Sequence, residues 1–248
     1  MSGIFQIVEK AALPDHLTVI NGLPDVGLVG VIATSHLISS LKMEEKVHVD
    51  STLLPPVVVF HKGVPSSPVR IYGSKDLATV ISEIAIPTKA VYPMANTIVD
   101  WAKAKKCKMM ISIGGMAVQD RQDLEKPKVF AAVSSESLMK DMSEKGIEIF
   151  TEGYVVGPYA VMLRRCAERG IPSVILLAQS FYNYPDPEAA AAAIEELNKI
   201  TELKVGVSEL FMKGEEIRLK MRDVMRRTQM EMERMKKRQE LEVSPIYA

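Results

Sequence analysis

The chain has 248 residues, enough for one large α/β domain and an appendage. Its 31 basic and 31 acidic side chains cancel, which excludes a global field able to recruit nucleic acid or an anionic membrane. Hydrophobic residues make up 47%, an ordinary globular balance, and no apolar run approaches the ~20 residues of a bilayer span.

Short apolar runs alternate with helical patterns along the chain. Residues 4–8 and 17–21 read as strands, followed by a helix over 26–41 that Asp25 is placed to cap. Residues 47–53, 57–61 and 69–72 read as further strands, separated by Pro55-Pro56 and by the segment 63–68. A strand over 77–82 precedes a helix over 93–106. A buried strand over 108–113 ends at Gly114-Gly115, and a strand over 128–133 precedes a short helix over 135–143. Gly157-Pro158 opens a helix to about residue 169, with Pro158 in the first turn where its missing N–H costs nothing. Residues 173–178 form a near-continuous apolar run, the pattern of a strand buried on both faces. Asp186-Pro187-Glu188 is a strong helix start, and the Ala-rich helix it opens is predicted to run to about residue 204. This alternation predicts an α/β fold, a three-layer sandwich about a central mixed sheet, plus a C-terminal helical extension.

The extension is compositionally distinct. Residues 206–248 hold ten Lys/Arg, eight Asp/Glu and six of the fifteen Met. That shift predicts a body over 1–205, a charged helical arm over 206–241 and an extended tail over 242–248. Met221, Met225, Thr228, Met232 and Met235 recur at spacings of four and three, so they share one helix face. The plain reading is a terminal helix packed on its own domain. The preferred reading is a projecting arm, or a helix that pairs with copies of itself through Met221, Met225, Met232 and Met235. The ring of charge leaves a narrow apolar stripe suited to one partner helix.

Catalytic chemistry is hard to find. Cys107 and Cys166 form no CxxC pair, and Met1 to Lys10 lacks a basic start followed by a long apolar run. Both cysteines are therefore expected to be reduced core residues of a cytoplasmic protein. The segment Gly22 to Gly30 joins a strand to a helix, but its spacing is neither a dinucleotide fingerprint nor a P-loop. Gly27 and Gly30 are read as packing positions. Asp25, Gly27, Gly114, Gly115, Met116 and Gly157 could line a vestigial pocket at the strand ends, where α/β proteins often bind ligands. His16, His36, His48 and His61 are isolated, with no Ser/His/Asp set and no metal-ligand spacing. No cofactor, metal or catalytic residue is expected. The basic cluster at 234–238 has no interleaved aromatic to stack on bases, so it reads as a solvated face.

The chain closes on Ile246-Tyr247-Ala248 after a Ser-Pro pair that keeps it extended. Such a tip can insert a ring into a pocket while a terminal carboxylate meets a Lys.

Gly22-Leu-Pro-Asp-Val-Gly-Leu-Val-Gly30, His36-Leu-Ile38, Gly114-Gly-Met116, Gly157-Pro158 and Pro185-Asp-Pro-Glu-Ala-Ala190 resemble, as an ordered set over about residues 10–210, the PAC2 family. That family contains the proteasome assembly chaperones and their archaeal homologues. It is related in fold to nucleoside phosphorylases without sharing their catalysis. The tail resembles the hydrophobic-Tyr-any motif of proteasome activators. The resemblance implies that Ile246, Tyr247 and the carboxylate of Ala248 enter pockets between α-subunits of the proteasome core particle. It also implies a non-enzymatic homo-oligomer that presents several tails at once. Client proteins, held by the Met-rich arms, are a further expected partner. The competing reading is a nucleoside phosphorylase- or hydrolase-like enzyme, or a small-molecule binder, using the pocket at the strand ends.

Overall fold

A computed structural model describes residues 4–61 and 63–242. The strands are β1 (Phe5–Glu9), β2 (Thr18–Gly22), β3 (Glu44–Ser51), β4 (Val59–His61), β5 (Val64–Ser66), β6 (Val69–Ser74), β7 (Leu77–Ser82), β8 (Met109–Ala117), β9 (Val129–Val133), β10 (Glu148–Ile149) and β11 (Ser173–Ser180). The helices are α1 (Val29–Ser40), α2 (Thr88–Ala104), α3 (Glu136–Glu144), α4 (Pro158–Arg169), α5 (Pro187–Thr201), α6 (Ser208–Met212) and α7 (Gly214–Glu242).

Nine strands form one mixed sheet in the order β1-β3-β6-β7-β2-β8-β11-β9-β10. Its centre, β7-β2-β8-β11, is parallel throughout. Antiparallel pairs flank that centre at β6–β7 and β11–β9. The central strands are apolar on both faces, as burial under helices on both sides requires; every residue of β7 is buried. One core packs the sheet against α2 and α4 through Met94, Ile98, Met162 and Cys166. The other packs it against α1, α3 and α5 through Ile32, Leu138 and the run Ala189–Ala193. That alanine run lets α5 lie close against its neighbours, and Asp186 caps it by accepting from Ala189 N at 3.0 Å.

Several boundaries differ from the sequence reading. The helix expected over 26–41 is a 3-10 turn, Val26–Leu28, followed by α1. Gly27 (φ 62°) and Leu28 (φ 51°) break the helical path between them. Asp25 makes no cap bond there. β8 runs through Gly114-Gly115 instead of ending before them. α2 begins at Thr88, so Pro93 is interior and forgoes a helical bond rather than starting the helix. β5 and β10 carried no separate prediction. Pro65 masks the former, and the latter has only two residues.

The segment after residue 205 does not stand away from the body. α6 and α7 break at Lys213, and α7 lies across the molecule. Met225 is 2% exposed inside the α1/α3/α5 core, with Met221 and Met232 packed on the same cluster. Met235 packs against the opposite core. The methionine stripe is therefore filled by the chain's own body, which corrects the projecting, self-pairing arm. The physical reason is that the stripe matches an apolar groove across both layers, so burial in cis satisfies it. α7 touches the 3-10 turn after β2 and the first turns of α2 and α5, which follow β7 and β11. It thus straps the C-terminal ends of the parallel strands.

Candidate functional site: the strapped strand ends

In an open parallel sheet the crevice at the strand C-termini is where ligands bind. Here four of the residues singled out from the sequence do meet. Asp25, carried on the loop after β2, accepts from Gly115 N on β8 at 2.7 Å. Asp25 and the Tyr159 ring lie directly over Gly114. A Cβ at Gly115 would fall 2.1 Å from the Val26 carbonyl, so only glycine lets the loop close on the strand. A Cβ at Gly27 would fall 1.9 Å from Ser180 Oγ on β11.

The polar groups here are spent on each other. Tyr159 Oη donates to the Leu23 carbonyl at 2.5 Å and accepts from Leu23 N at 2.8 Å. Asp25 Oδ1 is shut off from solvent with no partner. Burial pushes the Asp25 carboxyl well above the usual carboxylate range. Burial, and then the nearby Asp25 charge, push the Tyr159 hydroxyl up as well. An enclosed carboxyl bonded to Gly115 N and a tyrosine bound to backbone hold a loop to a strand. The clefts beneath α7 are lined by other residues. Met116 packs at the edge of the α2/α4 core. Gly157 contributes only the open-sided start of α4, two residues before Tyr159.

A second constellation was not visible in the sequence. Arg121, 1% exposed, donates from Nε and Nη2 to the two Asp186 oxygens at 2.8 and 3.0 Å. Nη2 also reaches Glu188 at 2.9 Å, Nη1 reaches the Leu124 carbonyl, and the guanidinium lies 5.1 Å over the Phe181 ring. Glu188 faces Arg218 of α7 at 3.5 Å. Asp186 could be read from the sequence only as a cap. Arg121 sits in a polar stretch and carried no signal. Asn21 likewise hid in an apolar strand; it is fully buried beside Ser112 with its amide unpartnered.

Among the described residues no group of three His, Cys, Asp or Glu is placed to hold a metal ion. His36 Nε2 bonds the Gly206 carbonyl at 2.7 Å, and His61 pairs with Glu83 at 2.9 Å. Burial raises the Cys107 thiol to about 11 and the Cys166 thiol to about 12, so neither is an activated nucleophile. No helix among the described residues is long and apolar enough to cross a membrane. Ile246, Tyr247 and Ala248 lie outside the described residues.

The sequence matches the PAC2 family over residues 19–225. The chain belongs to the PAC2 family. The match runs from β2 to Met225, so it includes the first turns of α7 as far as the buried Met225. An uncharacterized Methanocaldococcus jannaschii protein is 31% identical over 220 residues, spanning 88% of this chain and 90% of that one. Among solved structures, Pyrococcus furiosus PbaA, an archaeal homolog of proteasome-assembly chaperone, superposes with a TM-score of 0.85 at 30% identity. That similarity covers 90% of this chain and 98% of PbaA. Pyrococcus furiosus PbaB, an archaeal proteasome activator, superposes with a TM-score of 0.75 at 25% identity, covering 89% and 98%. These PAC2 relatives share the mixed sheet and its flanking helices.

Proposed function

We propose that this PAC2 protein is a non-enzymatic proteasome chaperone or adaptor that docks Ile246, Tyr247 and the carboxylate of Ala248 into the α-ring of the proteasome core particle. The observation that carries this reading is the near-complete superposition on PbaA. The similarity to PbaB, itself a proteasome activator, supports it. The closed strand ends favour a scaffold over an enzyme. Where a phosphorylase-like site would need open volume, Gly115 and Val26 are in contact, and Asp25 is bonded to backbone.

The strap supports the docking geometry. α7 is anchored at Met225, Thr228 and Glu231 and continues to Glu242. Six residues follow, enough to reach about 20 Å when extended. A tail rooted on a fixed helix loses less freedom on binding than one rooted on a loop. Several such tails on one homo-oligomer add avidity where their spacing matches the pockets. The buried face of the methionine stripe is not free for client proteins. Among the described side chains of α7, Leu219 and Met230 are the large apolar ones left exposed for them.

The reading is tested by titrating purified core particle with the full chain and with a chain truncated after Pro245. Loss of binding on truncation is the expected result. Equal affinity for both chains would sink the docking assignment.

A further inference from the structure

A cleft of about 340 Å³ separates α7 from the loop that joins β11 to α5. It lies at the C-terminal ends of the strands, where open α/β sheets take their ligands. Its two walls differ in chemistry. α7 contributes Arg218, Arg222 and Arg226, and the loop contributes Asn183 and Tyr184.

The three arginines are four residues apart, so they form one row along the helix at a pitch of about 6 Å. They are not equally free. Arg218 is held by Glu215 at 2.6 Å and by Glu188 at 3.5 Å. Among the described residues Arg222 pairs with no carboxylate, and Arg226 meets only Asp223, at 3.9 Å. The Arg226 and Asp223 side chains are 72% and 79% exposed. A pair that open contributes little and gives way to a better partner. Arg222 and Arg226 are thus neighbouring guanidiniums with donors to spare. The facing wall is fixed. Tyr184 packs edge-on against Phe181 with ring centroids 6.0 Å apart, and Phe181 in turn lies against the buried Arg121 guanidinium. Tyr184 is still 52% exposed, which leaves part of it open to the cleft.

We propose that this cleft binds an extended acidic peptide segment of a partner protein, with the carboxylates of two alternate residues on Arg222 and Arg226. Charge complementarity names the ligand, and the pitch of the row names its conformation. Alternate side chains of an extended chain stand about 6.7 Å apart on one side, close to the pitch of the arginines. Acidic residues at i and i+2 therefore meet one guanidinium each, and each planar fork can take a carboxylate through two hydrogen bonds. A helical ligand could match the same pitch, but with side chains it is at least about 10 Å across, too wide for a cleft of this volume. The ligand's main chain then lies beside Asn183 and Tyr184, whose amide and hydroxyl can bond it. Glu215 also lines the cleft, and the charges of the whole chain cancel. Both facts disfavour a nucleic-acid strand, which draws its affinity from many phosphate contacts. The assignment does not rest on proteasome docking.

The test is fluorescence anisotropy of a short labelled peptide of alternating Glu and Ser, titrated with the full-length chain in the absence of core particle. Arg222→Gln and Arg226→Gln should each weaken binding about fivefold, between the worth of an open ion pair and that of a charge-assisted hydrogen bond. Arg227→Gln removes the same charge from α7 but lines a different cleft, and should leave binding unchanged. All three arginines are exposed, so circular dichroism should be the same for every variant. Equal losses from the three changes would reduce the effect to the general charge of the helix and overturn the proposal. Absence of binding would overturn it too. So would displacement of the peptide by an equal concentration of inorganic phosphate, which would make the cleft a simple anion site. Tighter binding of a thymidine oligonucleotide, abolished by Arg222→Gln and Arg226→Gln, would replace the peptide with nucleic acid.

Discussion

Glu231 caps a helix that begins 143 residues earlier in the chain. Its Oε2 accepts from Thr88 N at 3.0 Å and from Thr88 Oγ1 at 3.2 Å. Pro87, at the cap position itself, has no side chain able to do this. The C-terminal helix thus completes the first turn of α2, and α2 in turn holds the strap in place.

Replacing Glu231 with Ala should destabilise the fold by about 1 kcal/mol, the usual worth of a cap. Glu231→Gln, which keeps an acceptor, should lose less. Urea midpoints of the three proteins decide it. Identical midpoints would mean that the contact contributes nothing to stability.

Arg121 and Asp186 form a buried ion pair with bidentate geometry. Arg121→Met leaves Asp186 buried and partly unpaired, and should cost about 3–5 kcal/mol. Asp186→Asn keeps an oxygen for the Ala189 N–H but takes the fully buried charge partner from the guanidinium, leaving it Glu188. Combining the two should cost less than the sum of the single changes, because neither charge is then left alone. A double-mutant cycle by chemical denaturation measures the coupling, and strict additivity would count against the pair.

Asp25 predicts a pH dependence. Its folded-state pKa is raised, first by burial, while the unfolded chain keeps the ordinary value. The preference of the fold for the neutral acid is fully present below the unfolded pKa and is lost as pH rises toward the folded one. Wild-type stability should therefore fall relative to Asp25→Asn as pH rises from about 4, by up to about 1.4 kcal/mol per pH unit. Urea unfolding of both proteins at a series of pH values isolates the effect. A difference that does not change with pH would contradict a neutral buried carboxyl.

How much of this could be read beforehand depends on the range of the interactions. β7 and α4 match their predicted bounds because apolar runs, Gly157-Pro158 and the Arg169-Gly170 end are local signals. The start of α5 was legible for the same reason, with Asp186, Pro187 and Glu188 adjacent in sequence. The start of α2 was not, since its cap arrives from Glu231. The methionine stripe was visible by its spacing, but a period does not name the surface that fills it; that surface includes α5, the 3-10 turn after β2 and α2. At the strand ends Gly114, Gly115 and Asp25 stood out as glycine-rich loop signals. Arg121 and Tyr159 did not, because their roles exist only once distant segments meet.

The central claim is tested most directly by binding of purified proteasome core particle to the full-length chain and to Tyr247→Ala, at equal concentration and salt. The account predicts that the wild-type chain binds and that Tyr247→Ala loses at least about tenfold in affinity, the scale expected for an anchoring aromatic. Indistinguishable binding by the two proteins, or binding by neither, would contradict it.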